Sequence, residues 1–318
     1  MELEDERPAA LHHFQLALPA DRLDLQHEQR RTGEGELERA GDVHGRLYPR
    51  QPARPTSPGR VPGPPVALAG SDRGHRDPRP GGAVSALLVT GTGSGASATV
   101  VVAAVTALAL DREQRVTVVK PAQTGVPDGA DGDLAEVDRL APGAVLRELA
   151  RYPDALSPAA AARASGREPL DPARCVQAVL AADPDLVLVD GVGGLLVRYD
   201  EDGFTMAELA RTLHLPVVVV CEVGLGGLHA TALTLEVMAG RGLELHGLVI
   251  GSWPGTPDLA CRSDVADLEM LAARPLLGAL PRGLSAAGPP AFLAAARAGL
   301  GPVLGGSFDA AAFRRAAR

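Results

Sequence analysis

The sequence predicts an α/β domain with a doubly wound, mainly parallel sheet over about residues 84–285. Three observations carry this. Short runs rich in Val, Ile and Leu recur down the chain, and they are continuously apolar rather than alternating, as in strands covered on both faces. Ala- and Leu-rich stretches of helical length separate them, which is the pattern of parallel crossovers. A glycine-rich segment lies directly after the first run, at the strand's carboxyl end, where doubly wound sheets bind ligands.

Each element follows from its residues. Ser85–Val89 reads as the first strand, and Val100–Leu110, apolar on every side, as a buried helix. Val116–Val119 is a β-branched strand ending in Lys120-Pro121. Asp131-Gly132-Asp133 precedes a helix starting near Leu134, where an aspartate suits a cap. Ala173–Ala182 is helical, and Leu186–Val189 is a strand ending in Asp190-Gly191-Val192-Gly193-Gly194. The helix Met206–Leu213 leads to the strand Pro216–Cys221, with proline at its first residue. The helix Ala230–Ala239, strand Gly247–Ile250, helix Leu259–Ala273 and strand Leu276–Leu280 complete the domain. Residues 286–318 read as a tail of short helices, Ala291–Ala298 and Asp309–Ala317, whose role the sequence does not reveal.

Residues 1–83 differ in character. Pro, Gly, Arg, Ser and Asp dominate 51–83, which cannot bury enough apolar surface to fold. Leu11–Arg39 can form a charged helix but has no face to pack on. Val84 stands just before the first strand, and an internal GTG start codon reads as valine. We expect a disordered extension or an overcalled start. Hydrophobic residues make up 46% of the chain, without a run long enough for a membrane span. The acidic opening Met1–Glu6 lacks the apolar segment of a signal peptide. A net charge of −8 argues against a nucleic-acid surface. Cys175, Cys221 and Cys261 form neither a metal spacing nor an even disulfide set, so a reducing cytoplasm is expected.

The glycine-rich segment runs Gly91-Thr92-Gly93-Ser94-Gly95-Ala96-Ser97-Ala98-Thr99. Its glycines let backbone N–H groups turn toward an anion, and the next helix adds its positive end. A dinucleotide fingerprint fits Gly91-x-Gly93-x-x-Ala96 loosely, but the acid expected at the end of the second strand is replaced by Lys120. A P-loop that ends on Thr99 sets Ser97 for its second glycine and Ala98 for its lysine, with Gly91 one residue further back than the strict pattern has it. A plain strand-to-helix turn leaves three glycines and four hydroxyl residues unexplained. A P-loop origin is the best of the three readings, with its charge lost.

Other residues fall on the same edge. Lys120 is the chain's only lysine among 31 basic residues, and Thr124 follows it in a turn. As a strand-end ammonium it is expected to be dispensable for the fold. Asp133 and Asp190 read either as a helix cap and a strand end, or as carboxylates for Mg²⁺. Gly226-Gly227-Leu228-His229 opens a helix whose free N–H groups suit a carboxylate. Gly251-Ser252-Trp253 carries the only tryptophan, which lines a base pocket or simply packs. Arg112, Arg115 and Arg282 are candidates to replace the missing loop charge.

Together the segments "LLVTGTGSGASAT", "VVKPAQTG", "DGDLAEVDRL", "YPDALSPAAAA", "LVLVDGVGGLLV", "GLGGLHATALTLE" and "GLVIGSWPG" resemble the dethiobiotin synthetase family in order and spacing. The resemblance covers about Val84 to Ser285 and implies a P-loop NTPase-like fold. It implies an ATP- and Mg²⁺-dependent ligase of biotin biosynthesis, which closes an ureido ring on 7,8-diaminononanoate with CO₂, as a cytoplasmic homodimer. It places Gly91 to Thr99 on the phosphates, with Thr99, Asp133 and Asp190 beside the metal. Lys120 faces the carbamate and γ-phosphate, and Thr124 the substrate. Gly226, Gly227, Leu228 and His229 hold the substrate carboxylate across the dimer interface. Gly251, Ser252, Trp253, Pro281, Arg282 and Gly283 border the base. The departures lie in the chemistry: Ser97-Ala98 for Gly-Lys, Asp190 for Glu, and His229-Ala230 for Asn-His. Two classes therefore stay open, a slow ligase and a non-catalytic relative that binds nucleotide, substrate or a partner.

Overall fold

A computed structural model describes residues 86–182 and 184–317. The extension expected over 1–83 lies outside the described residues. In chain order the elements are β1 Ala86–Gly91, α1 Ala98–Leu110, β2 Val116–Lys120, β3 Gln123–Thr124 and α2 Asp133–Leu140. They continue with β4 Val145–Glu148, β5 Arg151–Tyr152, α3 Pro158–Ser165, α4 Pro172–Leu180, β6 Leu186–Gly194 and α5 Met206–Leu213. Last come β7 Val217–Cys221, α6 Gly227–Gly240, β8 Leu245–Trp253, α7 Leu259–Ala272, β9 Gly278–Pro281, α8 Pro289–Gly299 and α9 Ala310–Ala316.

Seven strands form one sheet in the order β4-β2-β6-β1-β7-β8-β9, and every pairing is parallel. A separate two-stranded ribbon joins β3 to β5. Alternate residues of the buried strands feed two cores. Leu88, Val187, Val189, Val217, Val219 and Ile250 face α4, α5 and α7. Leu87, Val89, Val118, Leu188, Val218 and Val249 face α1, α2 and α8. This two-sided cover is why the strands read as unbroken apolar runs. The largely apolar α1 is buried from Val101 to Ala109 because sheet, α2 and α8 surround it.

The C-terminal helices belong to these layers. Phe292 and Ala296 of α8 are fully buried beside α1. Phe313 of α9 meets the Trp253 ring edge-on, with centroids 4.9 Å apart. The sequence expectation lacked β4, whose Val145-Leu146-Arg147-Glu148 lies at the sheet edge, exposed or half-buried, and so carries no apolar run. It also lacked α3 and the β3–β5 ribbon.

Candidate active site

Four neighbouring strands, β2-β6-β1-β7, bring their carboxyl ends to one edge. The register sets Val119 opposite Val189, and Val89 opposite Asp190. Residues that follow these positions therefore converge, although they are far apart in sequence.

The loop between β1 and α1 is shaped by close approach. A Cβ on Gly91 would lie 2.6 Å from the Gly93 carbonyl oxygen. One on Gly251, at the end of β8, would lie 1.9 Å from the Ala96 carbonyl oxygen, so only hydrogen fits between strand and loop. Thr92 N–H donates to Val220 O at 2.9 Å and Ala96 N–H to Gly93 O at 3.3 Å. Among the described residues, no hydrogen bond occupies the N–H groups of Gly93, Ser94, Gly95 and Ser97. Free N–H groups ahead of a helix form an anion nest. Ser97 caps α1 in the left-handed region, with φ 62° and ψ 35°, the conformation a glycine would adopt freely. Ala98 opens the helix and contributes no charge.

A cavity of about 250 Å³ adjoins this loop. Gly93, Ser94, Ser97, Ala98, Thr99, Lys120, Gln123, Thr124, Asp133 and Gly191 line it. Lys120 is 1% exposed, so it is a core residue as well as a strand end. Its ammonium donates to Asp190 Oδ2 at 2.9 Å and pairs with Asp133 Oδ2 at 2.5 Å. Burial alone would lower the Lys120 pKa, but Asp190 and Asp133 together raise it well above its ordinary value. Burial pushes the Asp190 carboxyl up, while Lys120 and the Thr99 hydroxyl pull it back.

Thr99 Oγ1 donates to Asp190 Oδ2 at 3.1 Å, and the buried Asp190 Oδ1 has no partner. Asp133 remains 38% exposed on its side chain, toward the cavity. One hydroxyl and two carboxylates beside an anion nest fit Mg²⁺, which completes its shell with waters and phosphate oxygens. No cluster of three or more His, Cys, Asp or Glu suited to a metal occurs among the described residues, so the protein alone offers no full cage.

Two residues the sequence reading passed over support the site. Gln123 is buried, and its Oε1 accepts the Asp133 N–H at 2.8 Å, which fixes the start of α2. Its signal was the turn Pro121-Ala122-Gln123-Thr124, where a buried amide follows a lysine. Tyr199 is buried, and its hydroxyl accepts the Val192 N–H at 2.7 Å, bracing the turn after Asp190. No local pattern marks it, because the contact spans a loop.

The remaining candidates lie around this centre. Gly226 to His229 form the α6 N-terminus, outside the lining of the 250 Å³ cavity. Nearby, Thr92, Leu195, Leu196, Ala230 and Leu233 line a second, mostly apolar cavity of about 350 Å³. Gly251 to Trp253 and Pro281 to Gly283 end β8 and follow β9, and Arg282 N–H donates to Trp253 O at 2.7 Å. The Trp253 indole is engaged by Phe313, as in the packing alternative. Arg112 and Arg115 do not replace the loop lysine. Arg112 binds Gly305 O at 2.6 Å beyond the far end of α1, and Arg115 pairs with Asp185 at 3.5 Å, before β2 and β6 begin. Of the three arginines named, only Arg282 is on the site's edge.

Comparison with known proteins shows what the chain is similar to. A family model described as an AAA domain matches residues 85–289. A protein of Parafrankia sp. named ATP-dependent dethiobiotin synthetase BioD is 57% identical over 234 residues, covering 73% of this chain and 98% of its own. Its namesake in Frankia casuarinae is 56% identical over 233 residues, covering 73% and 98%. That of Streptomyces coelicolor is 51% identical over 229 residues, covering 71% and 96%. These relatives are this similar over almost their whole length, and the chain belongs to the dethiobiotin synthetase family.

Proposed function

We propose that this protein is an ATP- and Mg²⁺-dependent ligase that forms dethiobiotin from 7,8-diaminononanoate and CO₂ in the cytoplasm. One amine adds to CO₂, loses a proton and becomes a carbamate. A carbamate oxygen takes the γ-phosphoryl group of ATP and releases ADP. The second amine then attacks the carbamate carbon, the ureido ring closes and phosphate leaves. The observation that carries the reading is Lys120, a buried cation held by Asp133 and Asp190 in the cavity beside the anion loop. There it stabilises negative charge on carbamate and phosphoryl oxygens, and its two carboxylates keep it charged at any working pH. The Thr124 hydroxyl orients the substrate from the same cavity. Mg²⁺, held by Thr99, Asp133 and Asp190 with the phosphates, supplies neutralisation of the triphosphate.

The substrate carboxylate is assigned to the N–H groups at the start of α6, between two copies of the chain. The apolar residues Leu225, Leu233 and Leu196, all exposed, suit such a homodimer interface. The base lies by the ends of β8 and β9.

Ser97-Ala98 favours the second reading, a binding protein that does not turn over. Loss of one charge-stabilising donor costs about 3–4 kcal/mol, roughly a hundred- to thousand-fold in rate. That leaves a slow enzyme rather than none, because nest, Lys120 and carboxylates are all in place. Dethiobiotin formation is measured for the native chain and for Ala98→Lys, alone and with Ser97→Gly. Detectable turnover that rises with the restored lysine supports the ligase. Nucleotide binding without product in all three proteins overturns it in favour of the binding role.

A further inference from the structure

We propose that Asp264, on α7, is a positioning residue for the substrate: it fixes the turn that aims the α6 N-terminus at the substrate carboxylate. The inference rests on the assignment of that N-terminus to the carboxylate. Asp264 is buried and belongs to no part of the phosphoryl-transfer site described above.

The turn between β7 and α6 is unusual backbone. Gly224 and Gly226 both adopt positive φ, 94° and 87°. Gly227 N–H donates to Gly224 O at 3.1 Å, and a Cβ on Gly227 would lie 2.4 Å from Glu222 O. The turn is thus folded tightly on itself, and Gly224 is its hinge point. Asp264 Oδ2 accepts the Gly224 N–H at 2.6 Å, which ties that point to α7 across 40 residues of sequence.

What the turn presents is a set of donors. Among the described residues, the N–H groups of Gly226, Leu228 and His229 have no acceptor, and Gly226 caps the helix. Their direction follows from the dihedral angles at Gly224 and Gly226, because two glycines give the turn no side-chain restraint of its own. Asp264 ties it to another element, while Thr231 Oγ1, within α6, donates to Gly227 O at 2.8 Å. A charged acceptor makes a stronger hydrogen bond than a neutral one.

The test uses the full chain and two amines. One is 7,8-diaminononanoate; the other is octane-2,3-diamine, the same vicinal diamine without the carboxylate. Asp264→Ala is expected to raise KM for diaminononanoate about ten- to hundredfold, the weight of a hydrogen bond to a charged group. Its kcat, its KM for ATP and its KM for octane-2,3-diamine stay near the parental values. Asp264→Asn keeps an acceptor and is expected to restore most of the loss. A folded Asp264→Ala with the parental KM for diaminononanoate overturns the proposal. If Asp264→Ala does not fold, Asp264→Glu displaces the acceptor by one methylene and should show the same selective KM rise; a parental KM there overturns the proposal equally. Failure of the underlying assignment looks different: the parent itself would then use both amines alike.

Discussion

Replacing Lys120 with methionine tests the centre of the site, and the structure sets the magnitude. The substitution keeps the volume of the buried stem but removes the ammonium from between Asp133 and Asp190. Asp190 is wholly buried and is left with the Thr99 hydroxyl as its partner, while its Oδ1 has none already. Removing one member of a buried pair costs about 3–5 kcal/mol. For a domain of this size that lowers Tm by roughly 6–20 °C. Protonation limits the loss. Burial holds the Asp190 carboxyl above its ordinary value, and without Lys120 the strongest opposing influence is gone. Between the unfolded and the raised folded pKa the native state binds the extra proton. Stability of the variant therefore falls as pH rises through that window, by up to about 1.4 kcal/mol per unit. In the parent, the raised Lys120 pKa makes its contribution fully present below the ordinary lysine value, so the ammonium itself adds no slope between pH 6 and 8. Urea denaturation at pH 6 and pH 8, with dethiobiotin formation on the same samples, measures both effects. Lys120→Met should be inactive and least stable at pH 8, and adding Asp190→Asn should recover stability but not activity. A Lys120→Met protein as stable as the parent at pH 8, and indifferent to Asp190→Asn, would refute the buried-triad reasoning.

Three further outcomes follow from the loop. Ser97→Gly relieves a left-handed residue worth about 1–2 kcal/mol against about 0.5–1 kcal/mol of added chain entropy, so a Tm rise of a few degrees is expected by calorimetry. Gly251→Ala drives a methyl into the Ala96 carbonyl, where the gap is 1.9 Å, and should weaken ATP binding by titration calorimetry at least tenfold while the Lys120 site stays intact. ATP affinity should fall steeply on chelating Mg²⁺, because Lys120 is outnumbered beside the loop by Asp133, Asp190 and Glu222, whose Oε1 would lie 2.7 Å from a Cβ on Gly95; Ala98→Lys should shrink that dependence, and equal dependence in both proteins counts against the charge argument.

The fold was legible because its strands are buried on both sides. Val217–Cys221 needs no alternation to be recognised, since odd and even residues each face a core. The same rule explains the failure at β4, an edge strand whose Val145 is exposed and whose Arg147 and Glu148 are half-buried, and at the two-residue strands of the ribbon, which are too short to carry a period. The apolar helical run begins only at Ala230, but the glycine turn before it opens the helix, and α6 does begin at Gly227 with Gly226 as its cap.

The site was legible residue by residue where a strand end positions the side chain. Lys120 and Asp190 each close a buried run, and the parallel register then brings them to 2.9 Å. Burial itself was not legible. A lysine at a strand end reads as a surface group, and only the tertiary structure shows that Asp190, Asp133 and the ribbon after β2 enclose it. Gln123 and Tyr199 were missed for a related reason, since each acts on backbone N–H groups that no motif records. The loop gives the opposite lesson. Gly91 is fixed by the Gly93 carbonyl and Gly251 of β8 by the Ala96 carbonyl, contacts that belong to the fold, whereas Ser97 and Ala98 hold positions the fold tolerates. Substitution there removes charge without removing architecture. The remaining cation is then the one that the architecture cannot lose, because Lys120 neutralises the buried Asp190 whether or not a nucleotide is bound.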